Sequence, residues 1–514
     1  MAPPVDSEEL ATLLNAGDGH ADIRQTHISI VYLTAGSAYK RLKPVRFDFL
    51  DFSTREGRYV HLANEARLNR RLAADVYRRL VPLWRSNDRW ELAGNGPPDD
   101  WLLAMERLPE DATLEAALAE GTLDEAAFDQ VIDALVAFAR SAARSATIAD
   151  NGDPAVIRAN LVENFRVLDA AAAEGVLEAV QVDRLRSRQL QALILLDEQF
   201  RARQRDGWIR DGHGDLRAEH VYLTHPVRIV DCIAFNHRLR WIDVADDLVF
   251  LSNDLVRLGG GNWATKLCLA YREQMGDPVS DDLFAYYGSY RFAVRAKVAI
   301  LRGQEQAGDE RIASIEESER LIALSIKALA GPRPWLVAVC GLSGTGKTTL
   351  AEALAERIGA RRLSSDVTRK NLHGLEPTGR MSPEVLYGDA ANEATYQELL
   401  SRAERRLSEG AGVVLDATFL RRADRDAVLG LADRTGTPAL FVECRCPEAE
   451  IARRLRKRAA LGRDASDATL DVWRRQRSIS DGYAGLSQAD SLVVGTDRES
   501  TSIVDEIVMR LKDR

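Results

Sequence analysis

Two rhythms of apolar residues divide the chain. From residue 335 onward, short apolar runs at 335–340, 361–364, 412–415, 439–443 and 491–494 alternate with longer stretches whose apolar positions recur at helical spacing. Runs of this length, bounded by turn residues, suit strands buried on both faces, and their alternation with helices predicts an α/β fold with a parallel sheet covered on both sides. Upstream, the first ~110 residues read as short strands at 28–33, 38–43 and 101–105 with an amphipathic helix around 56–73, whereas 124–330 reads as mainly helical. Asp153-Pro154 marks one helix start, a capping residue before a proline in the first turn. The alanines Ala170 to Ala173 read as helix surface rather than linker. Gly331-Pro332-Arg333-Pro334 interrupts the pattern between the helical run Glu316 to Ala330 and the next strand. The expected domains are therefore 1–330, an α+β domain with a small lobe of about 1–110 and a helical large lobe of about 111–330, and 331–514.

Composition narrows the class. A chain of 514 residues, 46% hydrophobic and 29% charged, exceeds a single core and has the balance of an ordinary globular protein of two to four domains. A net charge of −9 supplies no global attraction to nucleic acid or anionic membrane. The five cysteines (Cys232, Cys268, Cys340, Cys444, Cys446) are scattered without a C-x-x-C pair, which suits reduced thiols. The first residues carry neither a basic stretch nor an apolar core of a secretory leader, and no run approaches the ~18 apolar residues of a membrane span. Cytoplasmic residence with no membrane partner is expected. Oligomeric state leaves no mark in the pattern.

Gly341, Leu342, Ser343, Gly344, Thr345, Gly346, Lys347 and Thr348 match the G-x-x-x-x-G-K-[ST] phosphate cradle at every constrained position, with the strand 335–340 before it and a helical run opening at Thr349 after it. Glycines leave backbone N–H groups free to surround phosphate oxygens, and the helix N-terminus adds partial positive charge. Lys347 is placed to reach the β- and γ-phosphates, and the Thr348 hydroxyl to ligate Mg²⁺. The expected cofactors are ATP and Mg²⁺.

A second phosphate-transfer pattern lies upstream. His213-Gly214-Asp215-Leu216-Arg217-Ala218-Glu219-His220 is followed by Val221-Tyr222-Leu223 and by Val227-Arg228-Ile229-Val230-Asp231. This resembles the catalytic and metal-binding loops of the protein-kinase-like fold in its aminoglycoside and choline phosphotransferase branch, H-G-D-x-x-x-x-N and then a strand ending in a metal-binding Asp. The resemblance implies that Asp215 orients or deprotonates the acceptor hydroxyl and that Asp231 holds a metal. It also places Lys40, in Ala38-Tyr39-Lys40, on the nucleotide phosphates, with Glu65 of the next helix as its partner. Lys43 is the alternative lysine, on the opposite face of the same strand. His220 stands where the fold has its second metal-binding Asn, and the first hairpin loop carries only Gly36. Glu219 or His220 itself would replace that oxygen ligand, or the site binds nucleotide without turnover. Asp243 and Asp247, at i, i+4 spacing, are expected to brace the catalytic loop.

The whole chain resembles a bifunctional family in which such a domain is fused to a C-terminal P-loop kinase. Asp366 and Arg369 follow the second strand of the downstream domain, at the edge where ligands meet an open α/β sheet. This resembles the gluconate kinases and polynucleotide 5′-hydroxyl kinases, and implies that Asp366 takes or orients the acceptor proton while Arg369 neutralises the reacting phosphate. Asp416 ends a Walker-B-like strand and would orient acceptor or a metal-bound water. Arg454 and Arg458, at i, i+4 on a basic helix, with Arg463 in the following loop, fit a lid over the transferring phosphoryl group. The expectation is a bifunctional ATP-dependent phosphotransferase acting on hydroxyls of small molecules such as sugars, aminoglycosides or nucleosides. A polynucleotide 5′-hydroxyl kinase, supported only by the basic segment 453–463, ranks behind it. The third alternative is an ATP-binding regulatory protein with a catalytically weak N-terminal domain.

Overall fold

The computed structural model describes the chain except residues 1–4, 16–20, 27, 48–49, 88, 330–333, 377–387, 462–469, 484–485, 488–489 and 513–514, and except the side chains of 5–6, 47, 50 and 458–461. Two compact units emerge, each built from discontinuous segments: Met1–Ile157 with Gln199–Arg291, and Arg158–Glu198 with Phe292–Arg514. The compact units thus differ from the division expected at 331, because residues 158–198 and 292–330 pack with the C-terminal segment. Gly331 to Arg333 lie outside the described residues.

In the first unit, strands β1 (Asp22–Gln25), β2 (Ser29–Leu33), β3 (Ser37–Leu42), β4 (Tyr77–Ser86), β5 (Arg89–Glu91) and β6 (Asp100–Glu106) form an antiparallel sheet in the order β1-β2-β3-β6-β4-β5. Helix α1 (Arg55–Asn69) starts at Thr54, whose hydroxyl accepts from the Gly57 N–H, and packs Leu62 and Ala66 against Leu42, Tyr77 and Leu103 of the sheet. The rest of the unit is helical, interrupted by short strands: β7 (Ile209–Asp211) pairs with β10 (Trp241–Asp243), and β8 (Val221–Tyr222) with β9 (Arg228–Ile229). Helix α2 (Val244–Arg257) is capped by Asp243 and buries Leu248, Leu251 and Leu255 in a cluster with Phe128, Ile132 and Leu216.

The second unit has a five-stranded, wholly parallel sheet. Strands β11 (Leu336–Cys340), β12 (Arg361–Ser364), β13 (Val413–Asp416), β14 (Ala439–Arg445) and β15 (Ser491–Gly495) run in the order β12-β13-β11-β14-β15. The side chains of β11 are wholly buried: Val337 and Val339 face one apolar cluster, Leu336, Ala338 and Cys340 the other. The sites of interest use helices α3 (Lys347–Ile358), α4 (Ser365–Leu372), α5 (Asp389–Ser408), α6 (Glu448–Leu461) and α7 (Leu470–Ile479). An upstream helix, Ala179–Leu195, belongs to this packing: Ile194 joins the cluster of Val337 and Leu354, and the Ser187 hydroxyl donates to the Gly359 carbonyl and accepts from the Gly412 N–H at 3.1 Å.

Candidate active sites

In the second unit, β11 delivers the loop 341–346 to the N-terminus of α3. Three loop glycines adopt left-handed backbone, Gly341 at φ +133°, Gly344 at +83° and Gly346 at +86°. At Gly341 a side chain is excluded twice, since a Cβ would also lie 2.6 Å from the Cys444 carbonyl. Lys347 Nζ donates to the Leu342 carbonyl at 2.8 Å, and the Ser343 N–H donates to Gln476 Oε1 of α7 at 2.8 Å. Two groups of a phosphate cradle are therefore turned to protein oxygens that an anion would replace. Burial lowers the Lys347 ammonium below the ordinary lysine value, against the attraction of Asp416. Burial also raises the Asp416 carboxyl, against Lys347, Arg362 and a hydrogen bond from the Thr348 hydroxyl. A bound phosphate would stabilise that ammonium, and a cation that carboxylate. The oxygen donors of Thr348 and Asp416 suit Mg²⁺.

The loop opens onto a cavity of about 750 Å³ whose wall includes Ser343, Gly344, Gly346, Thr348, Thr349, Asp366, Arg369, Asp416 and Arg454. Asp366 lies in the first turn of α4, which Ser364 caps at the end of β12. It accepts from Arg369 at 2.9 Å, and Arg369 also donates to Asn392 Oδ1 of α5 at 3.1 Å. Arg454 lines the same cavity but is tied by 2.8 Å hydrogen bonds to Glu450 and to the Thr496 carbonyl. The Arg458 side chain and Arg463 lie outside the described residues. Arg362, 2.9 Å from Asp416, was not singled out by sequence, nor was Gln476; their partners lie 54 and 133 residues away, beyond any local spacing rule.

In the first unit, Lys40 Nζ donates to Glu65 Oε1 at 2.7 Å across the β3–α1 interface. Burial would lower the lysine pKa, but Glu65 and then Asp231 outweigh it and raise it. Lys43 points elsewhere, donating to the Thr26 carbonyl at 2.6 Å and to Gln25 at 3.2 Å. The loop 212–220 leaves β7 and is held from below. Asp247 accepts from the N–H groups of His213 at 2.6 Å and Gly214 at 2.9 Å, and Arg291, paired with Asp246, donates to the Gly214 carbonyl at 3.1 Å. Asp243, by contrast, caps α2 and binds the buried Arg203 at 2.6 Å. The loop brings Asp215 and His220 together with Asp231, which follows β9, so that one ligand atom from each lies within 4.8 Å of the others. Asp231 sits at φ +66°, a conformation side-chain-bearing residues rarely adopt, with its N–H on the Tyr77 hydroxyl at 3.3 Å.

A profile described as an AAA domain matches residues 336–481. An uncharacterised protein of Mycobacterium tuberculosis is 30% identical over 458 residues, 88% of this chain and 88% of that one. The chain belongs to its family. A gluconokinase of Gluconobacter oxydans is 30% identical over 128 residues, 25% of this chain and 67% of its own length. Among solved structures, a gluconokinase from Sinorhizobium meliloti 1021 is 21% identical, with 35% of this chain and 93% of that chain covered at a TM-score of 0.26. With a complete phosphate loop in a parallel sheet and a gluconokinase among its relatives, this member of the family is an ATP-dependent kinase. Among the described residues, no helix is long and apolar enough to cross a membrane.

Proposed function

We propose that the chain is a bifunctional phosphotransferase with one ATP site in each unit, the second unit passing the γ-phosphoryl group to a hydroxyl of a small molecule in the cytoplasm. The observation that carries this is the cavity of about 750 Å³ whose wall includes the phosphate loop together with Asp366 and Arg369, a size that fits a nucleotide phosphate chain and a sugar-sized acceptor. On this reading Asp366 orients the acceptor hydroxyl and takes its proton as the oxygen attacks phosphorus. Lys347 and Arg369 neutralise the phosphoryl oxygens, and Arg454 joins them by leaving Glu450. The Thr348 hydroxyl and Asp416 would hold Mg²⁺, which when bound would neutralise charge on the phosphates. The described wall of the cavity holds five carboxylates, Asp366, Asp389, Glu393, Asp416 and Asp424, beside Lys347 and four arginines, which favours a small acceptor over a polynucleotide.

For the first unit, the proposal is the protein-kinase-like fold, Lys40 with Glu65 on nucleotide phosphates, Asp231 and His220 on a divalent cation and Asp215 at the acceptor hydroxyl. The Lys40–Glu65 ion pair and the left-handed Asp231 support it, since such backbone concentrates at functional sites. His220 at the Asn position favours the second reading, a nucleotide-binding regulatory unit that transfers slowly or not at all. Testing sugars, aminoglycosides, nucleosides and 5′-hydroxyl oligonucleotides for acceptor-dependent ADP release, with the full chain and with Lys347→Ala, checks the proposal. Turnover of at least one small molecule lost in Lys347→Ala supports the second site, whereas turnover with oligonucleotides alone overturns the proposal.

A further inference from the structure

We propose that the cation site of the first unit selects a first-row transition ion, in the range Mn²⁺ to Zn²⁺, over Mg²⁺, through the Nε2 atom of His220 together with Asp231. The inference rests on the reading of this unit as a nucleotide site with a divalent cation, and specifies the ion.

The tautomer of His220 carries the argument. Its Nδ1 lies 2.9 Å from the backbone carbonyl of Asp215. A carbonyl only accepts, so Nδ1 bears the proton, and in the neutral imidazole Nε2 then keeps its lone pair. That lone pair faces the carboxylate Oδ2 of Asp231 at 3.6 Å, and among the described residues Nε2 makes no hydrogen bond. A histidine that gives one N–H to a backbone carbonyl and presents the other nitrogen beside a carboxylate has the arrangement of a metal ligand with its outer partner in place. Asp215, with Oδ2 3.8 Å from His220 Nδ1, completes the cluster.

Ligand type and separation then choose the ion. Mg²⁺ takes oxygen donors in near-ideal octahedra, whereas imidazole nitrogen suits the later transition ions, whose affinity for nitrogen sites rises along the series from Mn²⁺ to Cu²⁺. Nε2 and Oδ2, 3.6 Å apart, are close enough to share one ion. Charge fits as well. Asp231 and Asp215 bring two carboxylates to the site, where Glu65 pairs at 2.7 Å with Lys40, the ammonium that also attracts Asp231. Asp231 is 61% exposed, which leaves an entry path and room for water ligands.

The test is titration of the full chain, stripped with chelator and free of nucleotide, with Mn²⁺ while free Mn²⁺ is followed by electron paramagnetic resonance. In the second unit, the Thr348 hydroxyl and Asp416 are expected to bind the ion weakly without nucleotide phosphates. The expected result is one Mn²⁺ per chain that a hundredfold excess of Mg²⁺ does not displace, with affinity about tenfold or more weaker in His220→Asn and Mg²⁺ competing better there. If His220→Asn does not fold, paramagnetic broadening of the His220 imidazole by substoichiometric Mn²⁺ in the unaltered chain decides instead. Affinity within twofold in His220→Asn, displacement by equimolar Mg²⁺ or an unbroadened imidazole overturns the proposal and leaves His220 as an ion-pair partner of Asp231. Binding of an ATP analogue to Lys347→Ala is measured separately. Selective Mn²⁺ binding without nucleotide binding preserves the ion site and removes the nucleotide reading of this unit.

Discussion

Lys347 gives its ammonium to the Leu342 carbonyl, an oxygen that the charged oxygens of a triphosphate would outcompete. Lys347→Ala should lower kcat/KM for transfer by about a hundredfold or more, as loss of one charge-stabilising donor does. The thermal midpoint should stay nearly unchanged, because among the described residues the side chain bonds a loop carbonyl that solvent can serve. Steady-state kinetics and circular dichroism on the full chain check both parts, and transfer at the unaltered rate would remove Lys347 from the site. Asp366 makes a different expectation, since its carboxylate contacts Arg369 rather than the phosphate loop. Asp366→Asn should lower kcat by about two orders of magnitude while the affinity for ATP changes less than threefold, the pattern of a group that acts on the attacking hydroxyl. An equal fall in ATP affinity, read by calorimetry, would make it a nucleotide-positioning residue instead.

Among the elements, α7 places Gln476 on the Ser343 N–H, where a phosphate oxygen would sit. The helix therefore competes with nucleotide. Truncation in Gln476→Ala should leave ATP affinity unchanged or raise it up to about fivefold, the worth of one net hydrogen bond; a tenfold loss by calorimetry would mean that Gln476 holds the ligand. The contact has no sequence counterpart, because α7 meets the loop only through the tertiary fold. Elements whose register is local were more legible. The apolar runs of β11, β13 and β14 stand out because a central parallel strand buried on both faces must be apolar almost throughout. Strand β4 was hidden by Arg78, Arg79 and Pro82. Among the described residues its far side is paired over Trp84–Ser86 and not at Pro82, so the N–H that Pro82 lacks is not needed there. At the sites, the phosphate loop was legible as a contiguous motif and Lys40 with Glu65 as a resemblance, while Arg362, Arg291 and Gln476 act through partners far along the chain.

In the whole molecule, the compact units cross the sequence boundary. Ile194 and Ser187 precede residue 331 by more than a hundred positions, yet they pack on the sheet and on the Gly359 and Gly412 turns of the second unit. A fragment 331–514 loses them and exposes the apolar face of α3 they cover. It should unfold at a lower temperature than the full chain or aggregate, checked by scanning calorimetry and light scattering; a fragment as stable as the full chain would show that these helices add nothing to the fold. Enzymology of the second site thus belongs on the full chain with single substitutions. Two nucleotide sites in one chain would show in the stoichiometry of a non-hydrolysable ATP analogue, measured by calorimetry with divalent cation present. Two per chain are expected, falling to one in Lys347→Ala, to one in Asp231→Ala and to none in the double variant. A stoichiometry of one in the unaltered chain, lost in Lys347→Ala and indifferent to Asp231→Ala, would contradict it.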